Sequence, residues 1–382
     1  MIGSDTLSDI QSMLRDSLAK ILERHYNFEA RQAYRRQAPG YSTEAWNDYA
    51  SLGLLSLGVD EADGGAGGDL TDLSLVCAQM GEAMTLEPFI PTVVFGARLI
   101  AAAASEAQKD RWLSSILAGE LKVALAHGER ESRYGTRAVR ALARRDGDGF
   151  ILNGEKRVSE GADAAGLLVV SALLSGEGEE GRTALFLVEA DAEGVEHRRY
   201  RAFDGQGAAD LVFSQVRLSA DALLVGPTNG LEVLEKALDE ATVLQCADAV
   251  GAMRAANALT REYVGVRKQF GATIGSFQVL QHRLVDMAVA EAMAAAIAGA
   301  AVSAIEAPPE TRGQAVSAAK VRVGESARMI GQQSVQLHGG MGLAEEYPAS
   351  HYFARLELFE RRWGDAEHHL KRFSALMDRH WQ

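Results

Sequence analysis

Cysteine is scarce in this 382-residue sequence: Cys77 and Cys246 are the only two, far apart and outside any CxxC spacing. That excludes a disulfide framework and a cysteine-based zinc site, and leaves two reduced, apolar thiols. Proline is scarce too, with seven residues, and aromatic residues make up 7%. Positive charge is in deficit, with 39 Lys and Arg against 52 Asp and Glu, a formal net charge of -13. Such a chain repels a phosphodiester backbone, which argues against nucleic-acid binding, although locally placed arginines can still hold a phosphate ligand. No apolar signal region opens the chain: MIGSDTLSDIQSMLRDSL is polar and amphipathic, so a cytoplasmic location is expected. Long hydrophobic runs are missing apart from residues 287–305, MAVAEAMAAAIAGAAVSAI, which are mostly alanine with Glu291 inside. Weak apolarity and high helix propensity predict a tightly packed helix there, not a membrane span.

What is present is an ordinary globular balance, 47% hydrophobic and 24% charged, over a length that suits two or three domains. Ile10, Met13, Leu14, Leu18, Ile21 and Leu22 recur at helical spacing, and further helical runs follow at 71–84 and 109–117. The glycine run between Asp63 and Asp69 lacks a following lysine and a strand–helix frame, so it reads as a flexible loop. Near Leu121 the texture changes to short apolar stretches at 123–126, 149–152, 167–170, 184–188 and 211–213. Asp146-Gly-Asp-Gly149 and Asn153-Gly154 read as tight turns between strands. Helical patterns return near Asn229 and run almost to Gln382. The expected fold is α+β and multidomain: a helical domain at 1–122, an antiparallel, barrel- or sandwich-like β domain at 123–225, and a C-terminal four-helix bundle at 226–382.

Three motifs follow in order: NGEK at Asn153–Lys156, RKQFGATIGSFQ at Arg267–Gln278, and QLHGGMG at Gln336–Gly342 with Glu346-Tyr-Pro348 beyond it. Arg267 closes a helical stretch before a glycine-bearing bend, and a guanidinium can grip a diphosphate bidentately. Phe270 offers an aromatic face, and Gly339 with Gly340 lets backbone N–H groups approach a pyrophosphate. Read singly, Arg267 could be a surface ion-pair residue and the glycines a helix stop. Together, along essentially the whole chain, the motifs resemble those of acyl-CoA dehydrogenases. The resemblance implies FAD, bound across a subunit contact, with Arg267, Gln269, Phe270, Ile274, Phe277, Gln278, Gln336, Gly339, Gly340 and Ser159 as cofactor contacts. It also implies an acyl-CoA substrate, an electron-transferring flavoprotein as acceptor, and a homo-oligomer or a heterotetramer with a homologous subunit.

The sequence departs from that family at the chemistry. Most members carry a glutamate base fifteen residues after the proline of the Glu-Tyr-Pro element; here that position is Trp363. A minority carry it on the preceding helix, at a position that is Ala241 here, with Glu240 one step away. Asp365 is the first candidate for the base and Glu240 the second. Of the family's loop beside the flavin, only Glu129 is kept within Gly128–Gly135, where Arg130 and Arg133 are candidates for a substrate phosphate or carboxylate. Val158-Ser-Glu160 replaces the family's Trp-Ile-Thr, leaving Ser159 to meet the ring. His338, His351, His368 and His369 do not have metal-ligand spacing, and no metal is expected. The particular variant is similar to the small-subunit type of dehydrogenases for dicarboxylyl-CoA or steroid side-chain acyl-CoA. Two other readings stay open: a non-catalytic partner subunit, and a flavin oxidase or monooxygenase on the same fold.

Overall fold

The computed structural model describes residues 7–175, 181–226 and 228–378. The first six residues of the amphipathic N-terminal segment, and the last four of the chain, lie outside the described residues. The helices are α1 (Asp9–His25), α2 (Phe28–Arg36), α3 (Thr43–Ser51), α4 (Leu70–Ala83), α5 (Phe89–Pro91), α6 (Leu99–Ala103) and α7 (Glu106–Leu117). After the strands come α8 (Gly230–Val266), α9 (Gln278–Ser303), α10 (Pro309–His338), α11 (Pro348–Arg361) and α12 (Ala366–Asp378). The chain is therefore helical, then β, then helical. Its residues group into two compact units, one from Met1–Gln32, Leu70–Thr85 and Thr242–Gln382, the other from Ala33–Asp69 and Leu86–Ala241.

In the helical unit, Ser8 and Gln11 form a reciprocal capping box that satisfies two orphan N–H groups at the start of α1. Glycine sets the approach of α4 to α8: a Cβ on Gly81 would overlap the carbonyl of Asp248, and one on Gly251 the carbonyl of Ala78. Arg355 of α11 grips Asp248 of α8 with both arms, at 2.9 and 2.7 Å, and its remaining nitrogen donates to the Thr85 carbonyl at 3.2 Å. α10 packs against α9, α11 and α12. One stripe of α9 is buried, through Met287, Ala290, Ala294, Ala298, Ala301 and Val302. Contrary to the expectation of a tightly packed helix, its other face leaves Val285, Val289 and Met293 exposed. It is also long and apolar enough to cross a membrane by length and composition.

The other unit holds α3, α5–α7, the start of α8 and a sheet of eight strands. These are β1 (Val123–Ala126), β2 (Leu142–Asp146), β3 (Gly149–Glu160), β4 (Leu167–Ser175), β5 (Thr183–Glu189), β6 (Val195–Arg201), β7 (Gly207–Leu218) and β8 (Leu223–Val225). Their order is β6-β7-β3-β2-β4-β5-β8, with β1 also on β4, so the sheet is open and not a closed barrel. It is also not purely antiparallel. β1 pairs with residues 167–170 of β4 and β2 with residues 173–175, both parallel, because the chain between them loops back to start again in the same direction. β4 and β5 are buried almost throughout, with Phe150 edge-on to Phe186 at 5.1 Å in the core. β6, VEHRRYR, is an edge strand kept from further pairing by its exposed charges. Between α5 and α6, residues Thr92–Arg98 form a π-helical turn. Such a turn re-aims side chains, here that of Arg98.

Asn153-Gly154 is not a turn between strands. It lies inside β3, at a bulge where the register with β7 shifts between Leu152 and Gly154. The turn residue type is read correctly, but its cause is crowding: a Cβ on Gly154 would sit 2.6 Å from the Cβ of Ala141.

Candidate functional site

The arginine motif is a small hairpin between two long helices. α8 ends at Val266, β9 (Lys268–Gln269) pairs antiparallel with β10 (Ala272–Thr273), and α9 starts after Phe277. Phe270 and Gly271 turn the chain with φ of 54° and 80°. A phenylalanine in the left-handed region is costly, and this one is 92% exposed, so the turn spends conformational energy to display an aromatic ring. Phe277 stands edge-on to it at 6.3 Å. Arg267, Gln269 and Gln278 are exposed and Ile274 is half-buried. Among the described residues the Arg267 guanidinium has no ion pair, and the first turn of α9 has no side-chain cap.

The glycine motif ends α10. Gly339 has φ 60° and ψ −138°, and a Cβ on it or on Gly340 would meet nothing within 4 Å, so the backbone there is open to approach. Gln336 and both glycines are exposed. Beside them His338 is buried, with Nδ1 2.8 Å from the Ser334 carbonyl and Nε2 without a hydrogen-bond partner. Burial lowers its pKa, so the ring is the neutral Nδ1–H form. Its ring lies 4.5 Å from that of Tyr263, whose carbonyl accepts the Arg267 N–H. The two motifs therefore adjoin through Tyr263 and His338, and both carry exposed residues.

In the β-containing unit, Ser159 follows a second bulge of β3, where Val158 has φ 53°. Ser159 is 3% exposed, and its Oγ has no partner among the described residues. A buried hydroxyl without a partner is uncommon in a folded chain. Arg130 and Arg133 are both exposed on the 128–135 loop. That loop hangs on a cluster that motif reading does not reveal. Lys156, fully buried, donates to Glu129 Oε1 at 2.7 Å, to Ser171 Oγ at 3.1 Å and to the His127 carbonyl at 3.3 Å. Glu129 also accepts from the Arg140 and Ala141 N–H groups at 2.8 and 3.1 Å. Burial, only partly offset by Glu129, pushes Lys156 down to about 8. Burial and the Lys156 charge push His127 down to about 3, so it bonds Ser171 as a neutral ring. The signal in the sequence was the kept Glu129 and the Lys of NGEK, 27 residues apart.

The carboxylates proposed for proton abstraction are differently placed. Glu240, 5% exposed on α8, is clasped by Arg98: Nε donates to Oε2 at 2.8 Å and the second arm to Oε1 at 3.0 Å. The third Arg98 nitrogen donates to the Gly58 carbonyl. Asp365 caps α12, its Oδ1 accepting the His368 N–H at 2.9 Å, while its Oδ2 has no partner among the described residues. Trp363, half-buried with φ 47°, precedes Gly364 with φ 122°. No group of three or more His, Cys, Asp or Glu among the described residues could hold a metal ion. Cys77 and Cys246 are buried free thiols, and burial raises both, Cys246 to about 12.

Comparison with known proteins gives one answer along the chain. Family models match as the acyl-CoA dehydrogenase N-terminal domain at residues 8–120, middle domain at 124–216 and C-terminal domain at 228–375. Acyl-CoA dehydrogenase FadE12 of Mycobacterium tuberculosis is 30% identical over 318 residues, 80% of each chain. A Tcur3481–Tcur3483 steroid ACAD variant superposes with a TM-score of 0.87 and 27% identity, covering 98% of this chain and 99% of that one. The ChsE4–ChsE5 complex from Mycobacterium tuberculosis gives 0.88 at 21% identity, covering 98% of each chain, a likeness of fold. Fold and family models agree along the chain on one class, the acyl-CoA dehydrogenases. The chain belongs to the acyl-CoA dehydrogenase family.

Proposed function

We propose that this chain is an FAD-binding acyl-CoA dehydrogenase subunit that works in an oligomer, pairing with a homologous subunit in the manner the two-component names of its structural neighbours suggest. The observation that carries this reading is the outward surface of Arg267, Phe270, Gln278, Gln336, Gly339 and Gly340: an unpaired cation, a displayed ring and open backbone on one end of a helical unit. Those residues fit a dinucleotide, with Arg267 on the diphosphate, Phe270 against the adenine and the two glycines admitting phosphate oxygens. Because they are exposed, a second subunit is needed to enclose what they hold. Ser159 fits the ring end, where its unpaired hydroxyl can meet a flavin heteroatom. Arg130 and Arg133 can meet a phosphate or carboxylate of the acyl-CoA. Bound FAD would supply the acceptor for the hydride that leaves the β-carbon of the substrate. A cytoplasmic enzyme passing electrons to an electron-transferring flavoprotein fits this reading.

The α-proton needs a carboxylate with a free lone pair. Both oxygens of Glu240 are held by Arg98, whereas Asp365 keeps Oδ2 free beside its capping bond, which favours Asp365. Asp365→Asn retains the cap, because asparagine caps as well as aspartate, and removes only the base. With Asp365 as base, anaerobic flavin reduction by an acyl-CoA falls about a hundredfold in Asp365→Asn. Glu240→Gln then reduces at the parental rate. Normal reduction in both variants rejects a base in this chain. Trp363, standing where most members keep the base, favours a second reading in which this chain is a non-catalytic partner and the homologous subunit supplies the carboxylate. In that case flavin is bleached only when the two subunits are purified together, in either variant.

A further inference from the structure

Lys320 lies on the inner side of α10 and is 2% exposed. Its ammonium is within hydrogen-bond distance of four backbone carbonyls: Phe359 at 2.9 Å, Glu360 at 3.3 Å, Arg362 at 2.9 Å and Gly364 at 2.7 Å. It also stands 4.4 Å over the Phe359 ring. Three N–H protons are shared among four acceptors, as a monovalent cation is shared among the carbonyls of a loop. Two of those carbonyls end α11, where the helix dipole is negative and the orphan C=O groups need donors. The other two belong to the turn that follows, with Trp363 between them. A second strut comes from His369, which bridges Ser317 Oγ on α10, 3.3 Å from Nδ1, and the Trp363 carbonyl, 3.2 Å from Nε2. The ring presses on the turn so closely that a Cβ on Gly364 would sit 2.5 Å from its Nε2. Burial, with the nearby Lys320 charge, drives His369 down to about 2, so it serves as a neutral ring.

Trp363 occupies the left-handed region, a conformation that a bulky side chain holds only when its surroundings impose it. Lys320 and His369 bond the carbonyls of Arg362, Trp363 and Gly364 around it.

We propose that Lys320 is a positioning residue, a tethered cation that fixes the turn at 362–365 and thereby the directions of Trp363 and Asp365. Its role toward Asp365 rests on the functional reading above; its hold on the turn does not. The chain carries a built-in reporter, because Arg361 and Arg362 precede Trp363 and a loosened turn exposes their peptide bonds to trypsin.

The test compares the parental protein with Lys320→Met, which keeps the stem and removes the charge, and with Lys320→Ala in the presence of n-propylammonium or, as the neutral control, n-propanol. In Lys320→Met, cleavage after Arg361 and Arg362 and amide exchange at Arg362, His368 and His369 should each rise about tenfold or more, the scale of a lost charge-assisted bond. Exchange along the first half of α10 should stay parental. In Lys320→Ala, n-propylammonium should restore resistance and n-propanol should not. Should the Met variant fail to fold, the Ala variant folded with and without n-propylammonium decides the matter. Parental cleavage and exchange in a folded Met variant, or equal effects of the amine and the alcohol, overturn the proposal. Flavin reduction measured on the same samples separates the two readings. A loosened turn with no acyl-CoA-dependent reduction even in the parental protein rejects the functional reading while the positioning role survives; reduction that survives a loosened turn rejects the role of Lys320 toward Asp365.

Discussion

Arg267 is exposed and has no ion pair among the described residues, which makes its contribution to binding easy to isolate. Arg267→Ala breaks no ion pair among them, so a change in flavin retention reports the lost phosphate contact. A charge-assisted bond of about 1.5–3 kcal/mol corresponds to roughly ten- to a hundredfold weaker FAD binding, with the melting temperature of the flavin-free protein unchanged. Equal FAD affinity in parent and variant, measured by flavin fluorescence quenching, would remove Arg267 from the site. At this scale the sequence is legible where a bend is written in consecutive residues, as in the Arg267–Gln278 hairpin and the Gly339-Gly340 turn. It is silent where chemistry needs distant ones. Arg98 meets Glu240 across 142 residues, and Lys320 meets Gly364 across 44, with no local pattern to announce either. Only the fold reveals that Glu240 is clasped by Arg98.

Among the elements, the α4–α8 crossing is the most sharply determined. Gly81 and Gly251 each abut a carbonyl of the other helix, so neither helix can accept a methyl group without moving away. Gly251→Ala gains helix propensity but overpacks the contact, and overpacking typically costs about 1–3 kcal/mol. The urea midpoint should fall accordingly, whereas Gly299→Ala, with nothing within 4 Å of its Cβ, should be neutral or stabilising. Equal effects at the two positions would mean that the crossing is looser than it looks. Element types were legible because hydrophobic periodicity differs between helix and strand. Strand pairing was not. β1 and β2 lie along one edge of β4 in parallel, a consequence of where the 127–141 connection leads, and Asn153-Gly154 bulges within a strand because Ala141 crowds it. Dipeptide signals give conformation and not its cause.

Histidines in both units are held below their ordinary pKa, so stability should fall on the acid side. Burial lowers His338 and His368, pushes His127 down to about 3 and pushes His369 down to about 2, against an ordinary value of 6.5. Their folded values are depressed, so the stability they contribute is complete above pH 6.5 and is lost as pH falls from there toward the folded values. At pH 5 a fully shifted histidine costs about 2 kcal/mol. The urea midpoint should therefore drop between pH 7 and pH 5, and by less in His127→Gln, which has no proton to gain. An equal drop in that variant would show that His127 is not held neutral. At the same scale, the exposed apolar face of α9 and the exposed residues of the arginine and glycine motifs fit the assembly proposed above. The assembly proposed here holds FAD and reduces it with an acyl-CoA. The most direct measurement is the visible spectrum of the purified protein, alone and co-expressed with a homologous subunit, before and after anaerobic addition of an acyl-CoA panel. A bound-flavin band near 450 nm, in the usual flavin region, that bleaches with one acyl-CoA is the predicted result. A protein that stays colourless with excess FAD in every combination would contradict the account.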